Sequence, residues 1–96
     1  MAKKMKISLE SKVKIKPDIV SRTVHKEEVL LDMNSGIYFG LNETGTQIWE
    51  HVKAGQSLTH ASVALSKTYD LPAERANTEV LNLITQLYSK NLVEVR

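Results

Sequence analysis

Between Ile19 and Leu41 apolar and polar residues alternate with a period near two. Ile19-Val20-Ser21-Arg22-Thr23-Val24, Glu28-Val29-Leu30-Leu31-Asp32 and Ile37-Tyr38-Phe39-Gly40-Leu41 each read as a strand, being rich in β-branched or aromatic residues. The links between them are short. His25-Lys26-Glu27 and Met33-Asn34-Ser35-Gly36 carry residues that tight turns favour, and Asn34 and Gly36 are the positions expected to take positive φ. Consecutive strands so joined pair as an antiparallel meander, which leaves the third strand at an edge. A shorter alternation, Lys12-Val13-Lys14-Ile15-Lys16, fits an exposed edge strand kept soluble by lysine and ended by Pro17.

After Leu41 the period becomes helical. Asn42 suits an N-cap, Glu43 complements the dipole of the first turn, and Thr46, Ile48, Trp49 and Val52 continue to a stop at Gly55. Ser57 can cap a second helix, with Leu58, Ala61, Ala64 and Leu65 recurring before Tyr69 and Asp70. Pro72 opens a third, which runs to Lys90, and Asn91 can take the left-handed position after its end. Leu92-Val93-Glu94-Val95 returns as a short extended tail. The third helix carries two apolar stripes: Ala76, Val80, Leu83 and Leu87, and beside it Leu81, Ile84 and Tyr88. Either the sheet covers the second stripe, or that stripe and the edge strand Ile37–Leu41 form two walls of a groove that admits an extended peptide as another strand.

The chain has 96 residues and no cysteine. That length supports one compact core and a single domain, and no run reaches the ~20 apolar residues of a membrane-spanning helix. Lack of cysteine removes thiolate nucleophiles, thiolate metal sites and disulfides, and agrees with a cytoplasmic location. Charge is uneven: Lys3, Lys4, Lys6, Lys12, Lys14 and Lys16 crowd residues 1–16, read as a basic arm preceding a domain over residues 17–96. His25, His51 and His60 are scattered without ligand-spaced partners, Glu27 and Glu28 fall in a turn where solvation explains them, and the four glycines make no phosphate loop. The residues therefore offer no catalytic group, no metal site and no cofactor.

The run Val29 to Trp49, a hairpin ending in Phe39-Gly40-Leu41-Asn42-Glu43-Thr44-Gly45-Thr46-Gln47-Ile48-Trp49, resembles the signature of PqqD-like proteins: aromatic-x-Leu-Asn-x-Thr-Gly-x-x-Ile-Trp. The resemblance continues through Leu65, Tyr69, Val80, Leu83, Leu87 and Asn91-Leu92-Val93, and so covers most of residues 19–95. Many relatives have glycine where this chain has Asn91, which suits the same left-handed cap.

The resemblance implies an α+β, winged-helix-like domain, an N-terminal three-stranded antiparallel sheet followed by three helices, known as a RiPP recognition element. It implies a non-catalytic role: the leader of a ribosomally made precursor peptide adds as a strand beside the third helix. A partner maturation enzyme, such as a leader peptidase or a radical-SAM enzyme, then acts on the attached core peptide, and lasso-peptide maturation is the favoured setting. Carried onto this sequence, backbone groups of Ile37, Tyr38, Phe39 and Gly40 supply ladder hydrogen bonds, while Leu81, Thr85 and Tyr88 line side-chain pockets. Two alternatives stand beside it. A winged helix can bind DNA, but His60, Ser62, Ser66 and Lys67 on the second helix make a poor reading surface for a groove. A purely structural subunit of an enzyme complex would bind the enzyme and no leader.

Overall fold

The structure is a computed structural model and describes residues 7–96; Lys3, Lys4 and Lys6 of the basic arm lie outside the described residues. The elements run β1 (Val13–Ile15), β2 (Ile19–Val24), β3 (Glu27–Asp32), β4 (Tyr38–Gly40), α1 (Glu43–Lys53), α2 (Leu58–Tyr69), α3 (Ala73–Ser89) and β5 (Val93–Val95). Three antiparallel strands, ordered β2-β3-β4, precede the three helices, giving the α+β, winged-helix-like arrangement. A second, two-stranded ribbon joins β1 to β5, with Val13 opposite Val95 and Ile15 opposite Val93. The folded unit thus takes in Val13–Ile15 and is not confined to residues after Pro17.

The turns show where local chemistry set the path. β2 and β3 are joined by two residues, His25 and Lys26, with φ of 52° and 69°. Of the turns that suit a two-residue link between twisted strands, the one with positive φ at both positions is formed here, on residues without the glycine preference. In the β3–β4 link only Gly36 takes positive φ (75°). Asn34 does not, because its N–H donates to Asp32 Oδ1 at 2.9 Å and its amide donates to Asp18 Oδ2 at 2.6 Å, an Asx turn that holds the chain another way.

Side-chain caps open α1 and α2, while α3 starts at Pro72 without one. Asn42 Oδ1 accepts the Gly45 N–H at 2.8 Å, and Ser57 Oγ accepts the His60 N–H at 3.0 Å. Gly45 leaves room for this cap, since a Cβ there would lie a tight 3.2 Å from Asn42 Oδ1. Asp70 (φ 53°) and Asn91 (φ 66°) take the left-handed conformation just past α2 and α3, and Leu92 N–H then returns to Leu87 O at 2.9 Å. The core lies between the three helices and the inner face of the sheet. Trp49, Ile48, Leu58, Leu65, Val80, Ile84, Leu87 and Leu92 are fully buried there with Leu30 of β3. Ile84 therefore belongs to the core and not to a second, uncovered stripe.

One buried bond fixes α1 against the sheet: the Glu28 N–H donates to Thr46 Oγ1 at 2.9 Å. Glu28 itself is buried within β3, contrary to the solvated turn expected for it, and its carboxylate accepts the Thr23 hydroxyl at 2.6 Å. Glu27, at the hairpin end, is exposed.

Candidate functional site

Among the described residues β4 is an edge strand: it pairs with β3 alone, with Val29 opposite Gly40, Leu30 opposite Phe39 and Leu31 opposite Tyr38. The phase of that ladder decides which backbone groups are free. Asp32 N–H donates to Ile37 O at 3.0 Å and Leu41 N–H donates to Glu28 O at 2.8 Å. In an antiparallel pair hydrogen-bonded positions recur every second residue, so Phe39 turns its N–H and C=O groups toward β3, as do the Ile37 C=O and the Leu41 N–H, while the Ile37 N–H donates to Ser35 Oγ at 3.3 Å. Tyr38 and Gly40 turn theirs toward the open edge. Of the four residues expected to supply ladder bonds, Phe39 spends both its groups inside the sheet, and Ile37 spends its C=O on Asp32 and its N–H on Ser35 Oγ.

A cleft of about 220 Å³ opens along this edge. Phe39, Leu41 and Ile48 give it apolar walls on the side of β4 and α1, and Leu83 faces them from α3. Asn42 and Thr44 rim one side, while Glu79, Asn82 and Gln86 rim the other. The spacing of Glu79, Asn82, Leu83 and Gln86 puts all four on one face of α3. Leu83 is half-buried against the core, so its inner side is held while its outer side lines the cleft. Glu79 is held loosely by Arg75 at 3.9 Å, an exposed pair that leaves the carboxylate accessible.

Leu81, Thr85 and Tyr88 do not line this cleft. Two residues along a helix rotate a side chain by about 200°, so Leu81 and Thr85 lie nearly opposite Leu83 on the helix, with Tyr88 close to Leu81. Tyr88 is exposed and Leu81 half-buried on that flank. The α3 side of this cleft is built from Leu83 and its polar neighbours Glu79, Asn82 and Gln86, while Leu81, Thr85 and Tyr88 lie on the other flank of the helix. Sequence reasoning placed Leu83 in an ordinary buried stripe. Glu79, Asn82 and Gln86 are polar, and nothing in their residue types signals that a sheet edge lies across from them.

Tyr38 (69% exposed) and Ile37 (57%) leave large apolar surface in water at the same edge. Along the outer face of the sheet Val20, Leu31 and Tyr38 form one cross-strand row, and Arg22, Val29 and Gly40 the next. Inner and outer faces alternate, so Phe39 points to the core side while Tyr38 and Gly40 lie on the outer one.

Other chemistry is sparse. His51 and His60 come together edge to face with ring centres 5.2 Å apart, which their separation in sequence concealed, and His51 also contacts Gln56. His25 stands apart in the β2–β3 turn. Among the described residues no group of three or more His, Asp or Glu could hold a metal ion. Two carboxyl-linked shifts occur away from the cleft. The Asn34 N–H holds the Asp32 carboxyl below its usual range, and burial, assisted by Glu43, raises the Tyr69 hydroxyl. Among the described residues no helix is long and apolar enough to cross a membrane.

Comparison with known proteins bears on this geometry. Two solved structures share the fold closely. TbiB1 in complex with the TbiA(beta) leader peptide aligns at a TM-score of 0.80 and 28% identity, covering 84% of this chain and 94% of that one. A lasso peptide synthetase B1 complexed with the leader peptide aligns at 0.80 and 25%, covering 86% and 98%. A comparison with curated protein sequences gives no match. The family model for coenzyme PQQ synthesis protein D (PqqD) matches residues 27–93, a span that contains β3, β4, all three helices and both walls of the cleft. This chain belongs to the PqqD family.

Proposed function

We propose that this protein is a non-catalytic recognition element: it holds the leader segment of a ribosomally made precursor peptide as a strand added to β4. The observation that carries this reading is the coincidence of a free strand edge with a half-apolar cleft. The outward backbone groups of Tyr38 and Gly40 offer hydrogen bonds of any-sequence affinity, and the walls of Phe39, Leu83, Asn82 and Gln86 add side-chain selectivity. The two similar structures, each bound to a leader peptide, support it. Tethering a leader raises the effective concentration of its core peptide at a partner enzyme, which does the chemistry. A lasso-peptide leader peptidase is the partner we favour, acting in the cytoplasm where precursor peptides are translated. DNA binding is the weaker reading, since exposed α2 positions such as Thr59, His60, Val63 and Lys67 include one permanent cation.

The test is an amide NMR titration of the labelled protein with the synthetic leader of the precursor encoded beside its gene. Shifts are expected at Tyr38–Leu41 and on the Glu79–Gln86 face of α3. No shift at millimolar peptide rejects the reading.

A further inference from the structure

Gly40 occupies a strand position that does not call for glycine. It does not take positive φ, and a Cβ built there meets nothing within 4 Å. Glycine weakens a strand by its lost side-chain packing and its freedom in the unfolded chain, and in a strand interior it often marks the close approach of a ligand. Gly40 lies on the outer face, directly beside Val29 and in one row with Arg22. A shallow hollow of about 360 Å³ opens beside it, lined by Val24, Val29, Leu41 and Asn42 and, at the hairpin end, by the polar His25, Glu27 and Glu28. Its missing side chain is therefore the gap through which the edge of the sheet communicates with the apolar outer face.

A strand added to β4 has alternating side chains in register with those of β4. The residue paired with Phe39 points into the cleft toward Leu83. The residue paired with Gly40 points the other way, onto the outer face. Val29 is two strand spacings from it, about 9–10 Å. Any side chain at position 40 would stand between them, whereas above glycine the way is clear.

We propose that Gly40 opens a second specificity pocket, which takes a long apolar side chain of the bound leader strand, laid across Gly40 onto Val29 between Tyr38 and Val24. The pocket rests on the function proposed above and adds to it a readout on the opposite face of the peptide. Leader selectivity then has a period of two: one side chain is read in the cleft, and its neighbour is read over Gly40.

The experiment is a double-mutant cycle by calorimetry between Gly40→Val and single alanine substitutions along the synthetic leader, with thermal melts of each protein variant and Gly40→Ala alongside. Gly40→Val is expected to keep or raise the melting temperature and to weaken the unaltered leader by about tenfold or more. One leader position is expected to couple to it: alanine there weakens binding to the native protein and costs nothing further against Gly40→Val. Undiminished binding by Gly40→Val, or a loss that couples to no leader position, overturns the pocket while leaving strand addition intact. Failure of the native protein to bind the leader overturns the function itself and the pocket with it.

Discussion

Leu30 and Phe39 face each other across β3 and β4 as a hydrogen-bonded pair. That single phase relation assigns every backbone group on β4: Phe39 is spent within the sheet, and its neighbours Tyr38 and Gly40 are left for a fourth strand. Had the β3–β4 link been one residue longer or shorter, the donors and the apolar faces would have exchanged places.

Amide exchange reads this directly. In the free protein the Phe39 N–H is expected to be protected and the Tyr38 and Gly40 N–H groups to exchange fast. On addition of the leader the latter two gain protection. Prior protection of Tyr38 and Gly40, with Phe39 open, would place the ladder in the other phase.

On α3 the two flanks should separate cleanly. Leu83→Ala is expected to weaken leader binding by about tenfold and to cost roughly 1–2 kcal/mol of stability, as Leu83 is only half-buried. Tyr88→Ala, on the exposed far flank, is expected to change binding little and stability by less than about 0.5 kcal/mol. Calorimetry with urea melts distinguishes the two, and a larger binding loss in Tyr88→Ala would show that the leader wraps beyond the cleft.

Trp49 is 1% exposed, and its indole N–H has no acceptor among the described residues. Trp49→Ala should cost about 3–5 kcal/mol, a large share of what so small a domain has. Trp49→Phe should cost much less. It keeps most of the ring and removes a buried donor whose desolvation is worth about 1–3 kcal/mol. Denaturant midpoints of the two variants give the comparison, and equal losses would mean that the indole N–H is satisfied in solution.

The bond from Glu28 N–H to Thr46 Oγ1 ties β3 to α1 across the interior. Thr46→Val preserves shape and strands that N–H, so a loss of about 1–3 kcal/mol is expected. Thr46→Ser, which keeps the acceptor, should recover much of it. Loss of the same size in both variants would assign the effect to the methyl group.

Asp32 gives the pH dependence. Its carboxylate accepts the Asn34 N–H at 2.9 Å, and this bond holds its pKa below the usual value. A depressed carboxyl contributes stability that is present above its unfolded pKa and lost as pH falls through the folded one. Melting temperatures of the native protein and Asp32→Asn should therefore differ near neutrality and converge below the ordinary carboxylate range, beneath about pH 4. A difference that persists unchanged through and below that range would mean that the turn does not depend on the charge.

The chain's own pattern determined the elements. Alternation from Ile19 to Leu41 and the caps at Asn42, Ser57 and Asn91 specify strands and helices through bonds between residues near in sequence, and the structure places each as those signals require. The signature from Phe39 to Trp49 also sufficed to point to the family. What only tertiary structure decided was orientation. Both apolar stripes of α3 satisfy a helical period equally, and the packing of α1, α2 and β5 buried Ile84 and turned Leu83, not Leu81, toward the sheet edge. The ladder phase likewise follows from the two-sided fit of Leu30 and Phe39 into the core. A local period names a face of a helix or strand, but which face meets which neighbour is settled by how all the elements share one interior.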